Sequence, residues 1–281
     1  MEAKFRWLLI AAIAPIAWGS TYFVTKHFLP VDAPLWGAFI RALPAGLVLL
    51  LIARKLPHGS WWWKSLVLGT LNVGAFFVLV YVASTLLPSS VAATIMAAAA
   101  GVLMLVAWPL LGERPAARSL LGAALGLIGV TVLVFDGGGS VNPLGVVASL
   151  AAMLMSAFGF ALTKRWSSEE SVIAVTSWQL LGGALIIAPF AIVIEGAPPA
   201  LDASAFLGFA YVTLIATALA YVAWFAGLKH LPASSVGLVG LLNPISGVLL
   251  GTLLGGEDFG LRQAAGTVIV LIGVLVGQKR K

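Results

Sequence analysis

With 281 residues, 61% hydrophobic and only 9% charged, this chain has too few charges to cover the surface of a soluble protein of its length, because soluble domains carry about 25% charged residues. Its net charge of +6 is divided among short segments, a pattern that argues against nucleic acid and for orientation across a membrane. It contains no cysteine, which excludes disulfides, thiol nucleophiles and Cys-based metal sites, and His27, His58 and His230 lack the convergent spacing of a metal cluster.

A spanning helix needs about 20 mostly apolar residues. The first such run, 5–25, follows Lys4 and Arg6. It continues through Pro15 and Trp18 past the length of a signal core, with no cleavage site before Lys26, so it reads as a membrane helix rather than a leader. Runs at 34–53, 65–86, 90–111 and 117–135 follow. Trp61, Trp62 and Trp63 precede the third run beside Arg54, Lys55 and Lys64, and read as an interfacial belt. Proline supports the short break at Leu87–Ser90, since it cannot continue helix hydrogen bonding without cost. Five more runs are expected at 143–164, 171–194, 203–228, 233–254 and 259–277, with a second short break at Leu231–Ala233. No long loop is left for a soluble domain.

The two halves repeat. LPSSVA from Leu87, LLGERP from Leu110 and LIGV from Leu127 are followed, 144 residues later, by LPASS from Leu231, LGGED from Leu254 and LIGV from Leu271. Pro88, Ser90, Gly112, Glu113, Gly122 and Gly129 fall on Pro232, Ser234, Gly256, Glu257, Gly266 and Gly273 without a gap. With the N-terminus inside, thirteen lysines and arginines lie on the inner side, and only Lys26 and Arg262 on the outer. Five spans per half is an odd number, so the second half enters from the opposite side. The expected fold is therefore an all-α integral membrane protein, ten transmembrane helices in two inverted five-helix repeats, residues 1–138 and 139–281. Such repeats usually place a substrate site near the midplane at their interface, with rocking of the halves giving alternating access.

AWGSTYFVTK in the first span, the LPSSVA to LLGERP to LGLIGVTVL run, and LNPISGVLLGTLLGGE in the second half resemble the EamA-type branch of the drug/metabolite transporter superfamily. The resemblance covers essentially the whole chain and is nearest to bacterial exporters of amino acids, aromatic ones included. It implies an inner-membrane protein with both termini cytoplasmic. It also implies that the first four helices of each half wall a central cavity, with the fifth of each supporting them. Trp18 lies in the WGS turn, where the family's first helix lines that cavity.

Ionisable groups inside a span are costly and often functional. Arg41 is the one charge well inside a span rather than at its end, and it is read either as a carboxylate partner for substrate or as a side chain that snorkels or pairs with a carbonyl. No aspartate or glutamate falls at mid-membrane, which argues against carboxylate-driven antiport of cations and for a neutral or zwitterionic substrate. Ser20, Thr94, Gln179, Asn243 and Ser246 are polar candidates for holding substrate, with helix-to-helix bonding as the alternative for each. Gln179 and Asn243 stand out, because an amide satisfies its own helix backbone less easily than a hydroxyl does. Asn72, Thr217 and Trp224 also lie deep. Trp18, Tyr81, Trp178 and Tyr221 are candidates to wall an apolar cavity or to pack as core. Gly122, Gly126 and Gly129 face a similar set, Gly266, Gly273 and Gly277, which should pack the fifth and tenth spans together or onto a second protomer.

The chain has no Walker loop, GxSxG elbow or HExxH helix, and Gly137–Gly139 with Ser140 forms a turn with no lysine to hold phosphate. No enzyme, cofactor or metal is expected. The reading is an exporter of amino acids, working by alternating access without proton coupling, as a monomer or weak homodimer in the bilayer. Alternatives are an exporter of other small metabolites or drugs on the same fold, or a membrane enzyme or scaffold.

Overall fold

A computed structural model of the chain describes all residues except 1, 31–32, 88–91, 93–94, 135–141, 168, 256–259 and 279–281. The described elements are all helical. Eight helices are long and apolar enough to cross a membrane, and two shorter apolar helices, Ile95–Leu111 and Leu261–Gly277, accompany them.

In chain order, α1 is Glu2–Phe28 and α2 is Pro34–Ala53. α3 runs through Trp61–Gly69, a π-helical turn Thr70–Gly74, and Ala75–Leu86. α4 is Ala99–Leu111, α5 Ala117–Val134 and α6 Pro143–Trp166. α7 is Val172–Phe190, closed by a π turn at Ala191–Glu195. α8 runs through Ala203–Thr213, a π turn Leu214–Leu219, and Ala220–His230. α9 consists of Ala233–Gly240 and Leu242–Gly255, and α10 is Leu261–Gly277.

Local chemistry sets the helix ends. Asn142 caps α6 by accepting from the Leu144 amide at 2.9 Å, with Pro143 at the first helical position where a missing N–H costs nothing. Asp202 caps α8 through the Ala205 amide at 2.7 Å. The first turn of α2 is capped from outside the helix: both Glu195 oxygens, at the end of α7, accept from the Leu35 and Trp36 amides at 2.8 and 2.9 Å.

One expectation is corrected. α3 starts at Trp61 rather than 65, so the tryptophan cluster forms its first turn. Trp61 turns inward and is buried, while Trp62 and Trp63 stay exposed and keep the belt character. The run expected at 233–254 is present as the span Ala233–Leu254, with a one-residue turn at Leu241 inside it, and Pro244 sits in the first turn after that break, where its missing N–H is tolerated.

Small residues let backbones meet. A Cβ on Gly122 would stand 2.5 Å from the Gly273 carbonyl, and one on Gly129 would stand 2.6 Å from the Val270 amide. α5 and α10 therefore pack on each other within the chain, helped by a 3.0 Å bond from Ser119 Oγ to the Gly277 carbonyl. The main core joins α1, α2, α3, α4, α6, α7, α8 and α9. In it, α2 meets α7 through a 2.8 Å bond from Ser177 Oγ to the Gly46 carbonyl, and α1 crosses α9 at Gly19, against the Asn243 carbonyl. Large apolar side chains such as Leu51, Val193 and Leu275 point outward, as hydrocarbon surroundings require. Arg54, Lys55, Lys64, Lys164 and Lys229 stand at helix ends at what is here termed the basic end, where Glu170 holds Lys55 and Lys229 and Glu113 holds Lys164.

Candidate functional site

The π turns of α3 and α8 begin at Thr70 and Leu214, 144 residues apart, the offset of the sequence repeat. A π turn breaks the regular ladder and frees backbone groups for other partners, and such turns are frequent at functional sites. Both freed carbonyls are used in the same way. The Asn72 carbonyl accepts from the Tyr221 hydroxyl at 3.0 Å, and the Ala216 carbonyl accepts from Arg41 Nη2 at 3.2 Å. Asn72 and Ala216 are themselves 144 apart, and each is reached by a side chain from the opposite half of the sequence. Phe77, the residue 144 before Tyr221, lies under the Arg41 guanidinium at 5.3 Å.

Arg41 is half-buried, and its Nε donates to Thr217 Oγ1 at 2.9 Å. The Nε and Nη2 hydrogens on one edge of the guanidinium are thus held by α8. Its remaining N–H groups have no hydrogen-bond partner among the described residues. Thr217, Tyr221 and Trp224 follow at helical spacing on one face of α8. Trp18 meets the Tyr221 ring at 5.4 Å edge-on and the Trp224 ring at 5.4 Å. Phe160 continues the cluster, 5.4 Å from Trp224. Ser20 Oγ donates to the Ala17 carbonyl at 2.7 Å and also meets the Tyr211 hydroxyl at 2.7 Å, joining α1 to α8. A fixed positive charge beside a wall of aromatic rings can hold a carboxylate with a large apolar group attached.

The other expected site residues separate into distinct places. Asn243 is half-buried at the crossing of α1 and α9, and its side-chain amide makes no hydrogen bond among the described residues. Ser246 Oγ bonds the Ile16 carbonyl at 2.9 Å and is a helix joint. Gln179 is fully buried and accepts from Asn72 Nδ2 at 2.8 Å, while the same nitrogen donates to Thr163 Oγ1 at 3.1 Å. That network ties α3, α6 and α7, with Asn72 Oδ1 and Gln179 Nε2 left without a partner among the described residues. Trp178 is not brought to the Arg41 cluster. Its Nε1 donates to the Lys55 carbonyl at 2.8 Å, and its ring packs on Trp61 at the basic end. Adjacent helix residues point about 100° apart, so Trp178 and Gln179 cannot share one wall. Tyr81 is half-buried against the main core, and Thr94 lies outside the described residues. Phe77 and Phe160 were not foreseen. For Phe77 a signal existed, because it is the repeat partner of Tyr221.

At the basic end, Glu113 after α4 pairs with Lys164 of α6 at 2.5 Å and accepts from the Ala233 amide at 2.6 Å. Lys164 Nζ also donates to the Leu231 carbonyl at 2.6 Å. These contacts fasten three chain segments together. Two open depressions, of about 500 and about 350 Å³, lie at opposite ends of the bundle near Asp202 and Trp61, and Arg41 lines neither.

The fold and its apolar surface define a multi-pass membrane protein. The model of the EamA-like transporter family matches twice, at residues 5–135 and 143–276, and the chain belongs to that family of membrane transporters. It is 36% identical to "Protein PecM" of Dickeya dadantii, over 95% of this chain and 91% of that protein. It is 30% identical to the "Uncharacterized inner membrane transporter YedA" of Escherichia coli K12, over 93% and 87% of the two chains. It is 28% identical to a "Probable amino-acid metabolite efflux pump" of Salmonella typhimurium, over 95% and 93%. A crystal structure of 19% sequence identity superposes with a TM-score of 0.82, covering 96% of each chain, and shares the fold.

Proposed function

We propose that this transporter exports amino acids, aromatic and large apolar ones included, from the bacterial cytoplasm by alternating access. The observation that carries the reading is the Arg41 guanidinium, held on one edge by α8, the helix that also carries the Tyr221 and Trp224 rings packed on Trp18, and without a hydrogen-bond partner on the other edge among the described residues. The carboxylate goes to Arg41 and the side chain to the rings, with Asn243 as a further polar contact. Trp18, Ser20, Arg41, Tyr221 and Asn243 are then the site. Gln179 and Ser246 hold helices in place around it, Trp178 braces the basic end, and Tyr81 and Thr94 belong to the wall by family resemblance. The amino-acid efflux pump among the relatives supports the substrate class.

The frame proposed is ten spans in two inverted five-helix repeats, with both termini cytoplasmic and the basic end inside, in the inner membrane. The doubled family match and the distribution of basic residues support it. Glu113, Lys164 and the Leu231–Ala233 segment latch the cytoplasmic end, and release of that latch opens the site inward. No acidic residue lies in the middle of a span to exchange a proton for substrate, so the movement is facilitated rather than proton-driven.

Trp18→Ala tests the site. Removing a ring that packs on two others should weaken binding of phenylalanine about 3- to 10-fold, whereas Trp62→Ala, at an exposed position of the belt, should leave it unchanged. Equal effects of the two substitutions would place the site elsewhere.

A further inference from the structure

We infer that the site selects for the carboxylate rather than for the amino group, so that aromatic and large apolar monocarboxylates lacking an amine are ligands and the corresponding amines are not. This rests on the amino-acid reading above and adds the charge type that the site accepts.

Arg41 is the one ionisable cation in the middle of a span, and the aspartates and glutamates of the chain lie at or beyond span ends by sequence. Nearby Glu195 is engaged at the start of α2, with both oxygens on the Leu35 and Trp36 amides. The protein partners of the guanidinium are neutral: a threonine hydroxyl, a carbonyl and a phenyl ring. An uncompensated charge in such surroundings favours a ligand that neutralises it.

The free edge of the guanidinium has the geometry for that. Nε and one Nη2 hydrogen form the side-on edge, and both are occupied by α8. The end-on edge, with a hydrogen from each Nη, matches the two oxygens of a carboxylate. Holding the side-on edge fixes the plane of the fork before a ligand arrives.

An ammonium would meet ring faces and neutral acceptors, which attract it more weakly than a carboxylate would. Around Trp18, Tyr221 and Asn243 the polar groups are hydroxyls, carbonyls and an amide, with no carboxylate among the described residues. A monocarboxylate brings the site from one positive charge to none. An amino-acid zwitterion leaves it at one, and an amine raises it to two. Affinity should follow that order, since like charges a few ångströms apart in a medium poorer than water repel strongly.

The test is calorimetric titration of the purified full chain in detergent with three ligands of one carbon skeleton: phenylalanine, 3-phenylpropionate and phenethylamine. The expected result is that 3-phenylpropionate binds at least as tightly as phenylalanine, and phenethylamine about tenfold or more weaker. Arg41→Gln should erase that order by weakening the two carboxylates about tenfold or more without weakening the amine. Arg41→Lys, which keeps the charge but not the fork, should fall between. Phenethylamine binding as tightly as phenylalanine overturns this inference alone and leaves the amino-acid reading standing. No binding by any of the three, to protein that still melts cooperatively, overturns the amino-acid reading and this inference with it. The wild-type panel is decisive without a variant, so a poorly folding Arg41 substitution does not blunt it.

Discussion

Removing the Lys164 ammonium tests the proposed latch at the basic end. Lys164 makes an ion pair to Glu113 and a hydrogen bond to the Leu231 carbonyl, and the two paired side chains are 16% and 27% exposed. Buried hydrogen bonds to charged groups contribute about 1.5–3 kcal/mol, and fully exposed ion pairs about 0.2–1 kcal/mol. Exposure at this level puts the pair between those limits, at about 1–2 kcal/mol. In Lys164→Ala, Glu113 still accepts from the Ala233 amide, so part of the closure survives. The loss should shift the equilibrium between closed and open basic ends by about 5- to 30-fold. The chain has no cysteine, so one introduced thiol reports cleanly. Ala161 is fully buried one turn before Lys164 on α6, and Ala161→Cys supplies the probe. Its rate of reaction with a polar maleimide should rise about 5- to 30-fold when Lys164→Ala is added, with the melting temperature little changed. An unchanged rate in a protein that melts normally would show that the ion pair does not govern access.

Further outcomes follow from packing, topology and coupling. Gly273→Ala places a Cβ 2.7 Å from the Gly122 carbonyl, a backbone group that cannot rotate away, and should destabilise the α5–α10 pair by about 1–3 kcal/mol, read as a lower melting temperature in detergent; no change would mean that the two helices part at little cost. A reporter fused at His58 should lie in the cytoplasm and one at Gly138 outside, and finding both on one side would refute the orientation. Imposing a proton gradient on reconstituted vesicles should leave the final substrate distribution equal on both sides, whereas accumulation against a gradient would contradict the uncoupled mechanism.

Much of the fold was legible because it rests on composition and on short-range rules. Twenty-residue apolar runs mark spans whatever their neighbours, and Gly122, Gly129, Gly266 and Gly273 marked the α5–α10 contact because only close backbones need such a face. What was not legible depends on helix rotation and on broken ladders. Trp178 and Gln179 are adjacent in sequence and equally deep, yet one packs at the basic end and the other on Asn72, a difference decided by which neighbours α7 meets. The π turns have no composition signal of their own, so the use of the Asn72 and Ala216 carbonyls was hidden. The two readings of Arg41, substrate partner or carbonyl partner, were posed as alternatives. The geometry permits both at once, because one edge of the guanidinium is engaged and the other has no hydrogen-bond partner among the described residues. The 233–254 span was legible from its apolar length, but the one-residue turn at Leu241 inside it was not, because Pro244, three residues later, is a position that either a kinked or a restarted helix accommodates.

Movement of amino acids across a membrane is measured most directly by counterflow in liposomes that contain the purified chain and are loaded with unlabelled phenylalanine. Labelled phenylalanine added outside should enter faster than into empty liposomes, overshoot its equilibrium level and then decay, and unlabelled leucine or tryptophan outside should suppress the overshoot. Entry no faster than into protein-free liposomes, across a panel of amino acids and with protein that melts cooperatively, would contradict the claim.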